Sequence, residues 1–178
     1  MEPTVETHLL EDDGEVPNHP SLPLVIVRHT AAVDHSDPAA WFEQHLTTYG
    51  WGACWRWVVY NYQHFHSNNH EVLGVSRGHA TLLLGGEKGL ISSVSAGDVI
   101  VLPAGTGHKS LEASPDFEVV GAYPDGREPD LIRPGASDLP AIRSRIAMVP
   151  LPKFDPIFGK VGGLNIHWGL RAPKTSGS

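Results

Sequence analysis

The sequence predicts an all-β domain, and three observations favour that fold class. Residues 55–124 have a periodicity of two and are rich in aromatic and β-branched residues, which favour strands. Their short apolar runs follow one another at close, even spacing, separated by Gly, Pro, Asn or Ser, as in a barrel or a sandwich. The chain has 178 residues, 40% of them hydrophobic, which suits one domain with a sizeable core.

The first third of the chain departs from this pattern. Residues 1–23 are rich in Pro, Asp and Glu and predict an extended arm, and residues 22–29 predict a short apolar strand. A helix is predicted over 36–51, because Ser36 or Asp37 can cap its first turn and the proline that follows suits its first position.

The barrel strands and the tail follow in order. The strands are predicted at 55–66, 71–78, 80–86, 89–95, 98–105, 107–113 and 117–124. Residues 125–178 are Pro-rich, with a short helix near 137–146, and predict a segment that wraps over the barrel and is disordered at 174–178. The chain is therefore expected to be one domain, with an N-terminal part at 1–54, the barrel core at 55–124 and this wrap.

Charge and composition narrow the class of partner. The net charge of −7, without a long basic run, argues against nucleic acid and against an anionic membrane surface. No apolar run reaches membrane-spanning length, and a single cysteine excludes an internal disulfide. The acidic start, MEPTVETHLLEDDGE, lacks the basic and apolar parts of a signal peptide. A cytoplasmic protein with a small-molecule partner is expected.

One short stretch, HFHSNNHE at 64–71, carries the strongest chemical signal. On a strand His64 and His66 lie on one face, and the Ser-Asn-Asn that follows favours a turn that would return Glu71 beside them. Two imidazoles and a carboxylate make most of a metal site. The alternative is a helix with His66 and His70 one turn apart, which the Asn pair and strand-like flanks disfavour. On a strand His70 faces away, either exposed or supporting a ligand.

A second stretch, GDVIVLPAGTGH at 97–108, offers a fourth ligand. Gly97 begins a short apolar strand, and Pro103 to Gly105 favour a turn. His108 then begins the next strand, where its side chain can face the same interior as the first two histidines.

These stretches resemble the paired, germin-like motifs of the cupin superfamily. The first cupin motif is Gly-x5-His-x-His-x3-4-Glu-x6-Gly. This sequence matches it at His64, His66, Glu71 and Gly78, with Val58 in place of the leading glycine.

The second cupin motif, Gly-x5-Pro-x-Gly-x2-His-x3-Asn, is matched in the same way. The matching residues are Gly97, Pro103, Gly105 and His108, with Glu112 in place of the final Asn. The chain also resembles a subgroup of small single-domain bacterial and fungal cupins that have HEVLGV after the histidines. That subgroup carries no reaction over to this chain.

The resemblance implies a jelly-roll β-barrel and a divalent transition metal held by His64, His66, Glu71 and His108. Imidazole and carboxylate ligands suit iron, manganese, nickel, zinc or copper. Because a strand ahead of the cupin barrel often pairs with a neighbouring subunit, the strand at 22–29 implies a homodimer.

Five aromatic or basic side chains near the first motif are further candidates. Arg56, Tyr60 and Tyr62 share parity with the histidines, so they either line the cavity or pack in the interior. Tyr62 and Arg56 are the candidate catalytic or substrate-binding residues. Trp55 and Trp57 have the opposite parity and are expected to pack beneath the helix or the tail.

Two residues that follow the second stretch are further candidates for the cavity lining. Ser110 and Glu112 share parity with His108 and can line the far side of the cavity.

Three classes of function fit these residues. The first is a metal-dependent enzyme, of dioxygenase, isomerase or decarboxylase type, on a small oxygen-bearing substrate. The second is a module that binds or senses a small molecule without turnover, and fold alone does not separate it from the first. The third is a metal-free isomerase with a histidine base, which the full set of four ligands disfavours.

Overall fold

The computed structural model describes residues 1–170 of the chain. Its strands are β1 (Thr4–His8), β2 (Leu24–Arg28), β3 (Trp51–Trp57), β4 (Glu71–Arg77), β5 (His79–Leu84), β6 (Leu90–Ser95), β7 (Val99–Leu102), β8 (His108–Ala113) and β9 (Glu118–Pro124). Its helices are a 3-10 turn (Ala31–Asp34), α1 (Pro38–Thr48), α2 (Leu139–Met148) and α3 (Leu164–His167). None of these helices is long and apolar enough to cross a lipid bilayer.

The strands form two antiparallel sheets. The larger has the order β1-β2-β7-β4-β9-β3, and the smaller has the order β6-β5-β8. Most neighbours in the sheets, such as β2 and β7 or β4 and β9, are not consecutive in the chain, as in a jelly roll, so the predicted all-β, jelly-roll class is confirmed.

The large sheet is apolar on both faces, because alternate residues of each strand enter different clusters. On β4, Leu73 and Val75 point inward to the cluster between the two sheets, whereas Val72 points outward. The outer cluster is covered by α1 and α3, which contribute Phe42 and Leu164. Residues of odd number on β4 therefore face the interior of the molecule.

Helix α1 confirms the predicted helix over 36–51 and its start. The Asp37 side chain accepts a hydrogen bond from the Ala40 N–H at 3.1 Å, and Pro38 occupies the first turn. The helix packs closely on β4, because a Cβ at Gly74 would lie 2.7 Å from the Phe42 ring.

The predicted strand at 55–66 is wrong in its bounds. Strand β3 begins earlier, at Trp51, contains a register shift between Gly52 and Trp55, and ends at Trp57. Beyond it the backbone makes only isolated bridges, at His64 and at the following phenylalanine. The shift and the irregular backbone after residue 57 break the alternation on which the prediction depended.

The predicted extended arm contains a strand that composition did not indicate. Strand β1 pairs along its length with β2, whose other edge pairs with β7. Both edges of β2 are thus satisfied within the chain, so the pairing of 22–29 with a neighbouring subunit is wrong. The homodimer itself stays a prediction.

The C-terminal segment packs over the sheets, as the predicted wrap does. Ile142 and Ile146 of α2 form a cluster with Phe65 and with apolar residues near the N-terminus, and Trp168 joins the outer cluster. The predicted disorder at 174–178 lies outside the described residues.

Candidate metal centre

His64 and His108 are placed together by a direct backbone pair. The His108 N–H donates to the His64 carbonyl at 2.9 Å, and the His64 N–H donates in return at 3.4 Å. Side chains of directly opposed residues lie side by side, and the two imidazole centroids are 4.0 Å apart. This bridge joins the first motif to the start of β8.

His66 is fixed by the glycine turn of the second motif. The Gly105 N–H donates to the His66 carbonyl at 2.7 Å. Gly105 has a φ of +88°, and a Cβ there would lie 2.8 Å from the Asn18 carbonyl oxygen, so only glycine fits without strain. Glu71 then enters at the start of β4, with its side chain on the inner face beside Leu73.

The structure brings the four predicted ligand side chains together. Ring nitrogens of His64, His66 and His108 all lie within 4.8 Å of one another, and the three residues are buried. Glu71 Oε2 lies 3.0 Å from His66 Nε2 and 3.2 Å from His108 Nε2. Among residues 1–170, these histidines are the group of side chains with metal-ligand spacing.

The hydrogen bonds of the three rings decide where their lone pairs point. In each ring Nδ1 faces a backbone carbonyl, of Tyr62 for His64, of Asp130 for His66 and of Thr106 for His108. A carbonyl only accepts, so Nδ1 carries the hydrogen and Nε2 carries the lone pair. In the neutral rings the Nε2 atoms of His66 and His108 therefore present lone pairs to the carboxylate of Glu71, and only a protonated ring can donate to it.

Burial and charge act in opposite directions on these groups. Burial lowers the pKa of His64 to about 3, with the neighbouring histidines adding to the effect. Burial alone would lower the pKa of His66, but the Glu71 carboxylate outweighs it and raises that pKa. Burial likewise opposes ionisation of Glu71, yet the charge of His66 and hydrogen bonds with both histidines hold its pKa well below its usual range. The site thus binds positive charge between the imidazoles and the carboxylate.

The turn within the first motif, between His66 and Glu71, is held by the C-terminal segment. The Ser67 N–H donates to Asp130 Oδ1 at 2.7 Å, and the Asp130 N–H donates to the Asn68 side chain at 2.9 Å. Asn69 donates to the Arg127 carbonyl at 2.8 Å, and Arg145 donates to Ser67 Oγ at 2.8 Å. Every residue of the Ser-Asn-Asn turn is held from outside the predicted hairpin.

Glu71 is also supported by Tyr123, a contact that the sequence did not predict. In the antiparallel register of β4 and β9, Tyr123 lies opposite Glu71, and its hydroxyl donates to Oε1 at 3.4 Å. The Trp55 indole N–H donates to that hydroxyl at 2.9 Å. The indole lies over Gly121, where a Cβ would lie 2.1 Å from its ring. Only the strand register, which sequence spacing does not contain, relates these residues.

The four side chains line a cavity of about 430 Å³. Its lining residues are Trp55, Arg56, Trp57, Val58, Val59, Tyr60, His64, His66, Glu71, Leu73, His108, Tyr123, Pro129, Asp130 and Leu131. The volume is within the usual range for a small-molecule site.

Of the other predicted site residues, two line the cavity and one packs against its lining. Tyr60 and Arg56 line the cavity, and the Arg56 guanidinium pairs with Glu43 at 2.7 and 2.9 Å. The Tyr62 ring stacks on Tyr60, with centroids 4.8 Å apart, and contacts the guanidinium carbon of Arg133 at 4.2 Å.

The packing predicted for the two tryptophans beneath the helix or the tail is wrong. Trp55 lines the cavity, and Trp57 is 64% exposed at its mouth. The irregular backbone between Trp57 and His64 is the reason, because strand alternation does not continue across it.

The remaining candidates lie away from the ligands. His70 is fully buried but on the opposite face, as strand parity predicts, and its ring contacts that of Trp168 at 5.0 Å. The Ser110 N–H donates to the Tyr60 carbonyl at 2.8 Å, and Glu112 is exposed on β8.

Comparison with known proteins gives one strong match. The chain is 41% identical over 160 residues to "Uncharacterized protein YjlB" of Bacillus subtilis strain 168, covering 90% of this chain and 94% of YjlB. No family model matches the sequence.

Solved structures resemble the chain only loosely. Oxalate decarboxylase from Lactobacillus farciminis, in complex with formate, is 13% identical, with 83% of this chain and 42% of that chain covered and a TM-score of 0.35. Procruciferin, an 11S globulin from Brassica napus, is 15% identical, with 68% and 29% covered and a TM-score of 0.38. The chain spans less than half the length of either protein, and TM-scores this low say nothing about its activity.

The match to YjlB is strong enough to show the family, because it covers nearly all of both chains at 41% identity. The two motifs and the paired antiparallel sheets agree with the cupin pattern. The chain therefore belongs to the family of Bacillus subtilis YjlB.

Proposed function

We propose that this protein binds a divalent transition metal through His64, His66, Glu71 and His108. We further propose that it is a metal-dependent enzyme, of dioxygenase, isomerase or decarboxylase type, on a small oxygen-bearing organic substrate. Iron, manganese, nickel and zinc all suit three imidazoles and a carboxylate.

One observation carries the proposal. Lone pairs of two imidazoles face the same carboxylate oxygen, at 3.0 and 3.2 Å, inside the protein. A single proton between Glu71 and one ring would satisfy one of these contacts and leave the other Nε2 atoms without a donor. A divalent cation satisfies all of them at once, and the buried carboxylate then has its counter-charge.

The residues around the ligands prepare the site for chemistry. A metal bound there would polarise a substrate oxygen or activate a small ligand, since four protein ligands leave positions open on a six-coordinate ion. The carbonyls of Tyr62, Asp130 and Thr106 keep each Nε2 turned inward without metal.

Arg56 and Tyr62 stay candidates for substrate contact. Arg56 has the better position, at the cavity wall, although its guanidinium is engaged by Glu43. Tyr62 would act at one remove, through its stacking on Tyr60. A binding or sensing module without turnover is the alternative, and it requires the same metal site.

The test is the metal content of purified variants. Replacing His64, His66, Glu71 or His108 by Ala should remove most of the bound metal, measured by elemental analysis. His70→Ala is the matched control, since it removes an equally buried histidine adjacent to Glu71 and should keep the metal. Full occupancy in His108→Ala would show that the proposed ligand set is wrong.

Two finer features belong to the same proposal. The protein is expected to be a cytoplasmic homodimer, although β2 cannot supply the contact. Strands β1 and β3 form the two edges of the large sheet, and an edge strand can pair between subunits. Light scattering at micromolar concentration should give twice the mass of one chain, and a monomer mass would reject the dimer.

A further inference from the structure

We infer that the substrate carries its oxygen donors at one end of an apolar body about the size of an aromatic ring. This inference rests on the proposed function, because the metal centre receives the donors. It adds the class of substrate, which the ligand set alone leaves open.

The cavity lining combines a cluster of polar groups with a large apolar surface. The four candidate metal-ligand side chains form the cluster, and Trp55, Val59 and Leu73 are among the apolar lining residues. A volume of about 430 Å³ equals that of about fourteen water molecules in the liquid, far more than a bare carboxylate fills. A ligand that contacted only the polar cluster would leave the apolar surface in contact with water, which is unfavourable.

No free cation stands ready to bind a second charged group on the ligand. Among the described residues that line the cavity, Arg56 is the single Lys or Arg side chain. Both oxygens of Glu43 engage its guanidinium, at 2.7 and 2.9 Å, so its charge and its fork of donors are already matched. Affinity beyond the metal must therefore come from apolar contact.

The mouth of the cavity extends the apolar wall outward. Trp57, Val58, Tyr60 and Leu131 line the cavity and are 64%, 44%, 45% and 47% exposed. Large apolar side chains gathered around an opening are typical of a ligand-binding surface rather than of scattered exposure. An apolar body that reached from the metal to the mouth would cover them.

The test compares matched probe ligands on the metal-loaded protein by titration calorimetry. Benzoate and acetate present the same carboxylate, and phenylmalonate and malonate present the same chelating pair, so each pair differs only in its apolar body. The larger member of each pair should bind about tenfold to a hundredfold more tightly, as burial of a phenyl group predicts. Equal affinities within both pairs would overturn the inference.

Two leucines give a matched pair of variants. Leu131 and Leu111 are exposed to similar extents, at 47% and 44%, but only Leu131 lines the cavity, and Leu111 lies on β8. Leu131→Asp should weaken benzoate about tenfold, whereas Leu111→Asp should leave its affinity within about twofold. Equal effects of the two changes would contradict an apolar binding wall.

A third variant asks whether Arg56 holds the ligand. The ratio of benzoate to acetate affinity should be the same in Arg56→Ala as in the unchanged protein, because any contact of the guanidinium that Glu43 leaves free would be with the carboxylate that both probes share. A ratio that fell to one in Arg56→Ala would assign the preference to Arg56 and overturn the inference.

Elemental analysis of the same samples separates this inference from the proposed function. Protein without metal under loading conditions would overturn both. Metal-loaded protein that does not prefer the phenyl probes would overturn the substrate class and leave the metal site standing.

Discussion

Two histidines four residues apart, His66 and His70, lie on opposite faces of the large sheet and differ in what their ring nitrogens face. His70 Nδ1 accepts a hydrogen bond from the Ala104 N–H at 2.9 Å, and its Nε2–H donates to the Pro150 carbonyl at 3.1 Å. His66 Nδ1 donates to the Asp130 carbonyl, but its Nε2 faces the Glu71 carboxylate, so in the neutral ring this nitrogen has no donor opposite it.

Burial does not distinguish a candidate ligand from a structural histidine in this protein. Both residues are buried, and a carbonyl of the C-terminal segment holds each of them. What differs is the second nitrogen, which has a complementary partner in His70 and an acceptor in His66. A ring that the protein leaves incomplete is available to a metal.

Replacing each histidine by Ala should give the largest difference between them, in the stabilisation that metal provides. Metal at a hundredfold excess over its Kd should stabilise the native protein by about 2.7 kcal/mol. His66→Ala should lose that increment. His70→Ala should keep it, although its lost hydrogen bonds and the cavity lower the baseline by about 2–4 kcal/mol.

The measurement is denaturant unfolding of each variant with and without metal. If His70→Ala lost the metal increment while staying folded, the two histidines would not be distinguishable in this way. If His66→Ala kept it, the metal would lie elsewhere.

Acid should lower the stability of the protein through histidines on both faces of the large sheet. Burial lowers the pKa of His19 and of His70 to about 4, against an ordinary 6.5, and both rings lie away from the metal ligands. They stay neutral in the folded protein while the unfolded chain binds protons below about pH 6.5. Stability is therefore present at neutral pH and is lost as the pH falls from about 6.5 towards 4.

The metal adds a further loss, because protons compete for the ligand histidines. Metal-loaded protein should lose thermal stability more steeply below about pH 6 than chelator-treated protein, which should still lose some through His19 and His70. Melting curves from pH 8 to pH 5 check this. Parallel curves in the two states would argue against a metal bound through histidines.

Removing the hydroxyl of Tyr123 tests whether it positions Glu71 for metal binding. Tyr123→Phe should weaken metal binding about tenfold, because Oε1 loses its donor and Oε2 is no longer kept towards the imidazoles. Tyr60→Phe is the control, a hydroxyl removed from the same cavity. Competition with a metal indicator dye gives both affinities, and equal affinities would make the contact at 3.4 Å irrelevant.

The smallest effect is expected at the clamp that holds the turn before His70. Arg145 donates to Ser67 Oγ and lies 3.6 Å from Asp130 Oδ2, with half of its side chain exposed. Arg145→Ala should therefore lower stability by at most about 1 kcal/mol. Arg143→Ala, on the same helix and paired with Asp12, is the control. A selective loss of metal from Arg145→Ala would show that the clamp positions His66.

Much of the site was predictable because it depends on local geometry. Alternation along a short segment, the Ser-Asn-Asn turn and the glycine of the second motif bring His64, His66 and Glu71 close, and strand parity turns His70 away. The candidate ligand set, which the resemblance to the cupin motifs implies, consists of these three residues and His108. The same alternation failed at Trp55 and Trp57, since the strand ends at Trp57 and the backbone from there to His64 is irregular.

The all-β class, most of the strands and a helix capped at Ser36 or Asp37 were predictable from the sequence, because each depends on neighbours within a few residues. The four candidate ligands came from the resemblance of two separate motifs to the cupin pattern. Only the tertiary structure decided which nitrogen of each ring is free, that Tyr123 and Trp55 support Glu71, and that Asp130 and Pro150 hold the two histidines. The physical reason is distance along the chain. The Asp130 carbonyl meets a ring 64 residues away, and the Pro150 carbonyl meets one 80 residues away. Only the packed C-terminal segment brings such partners together.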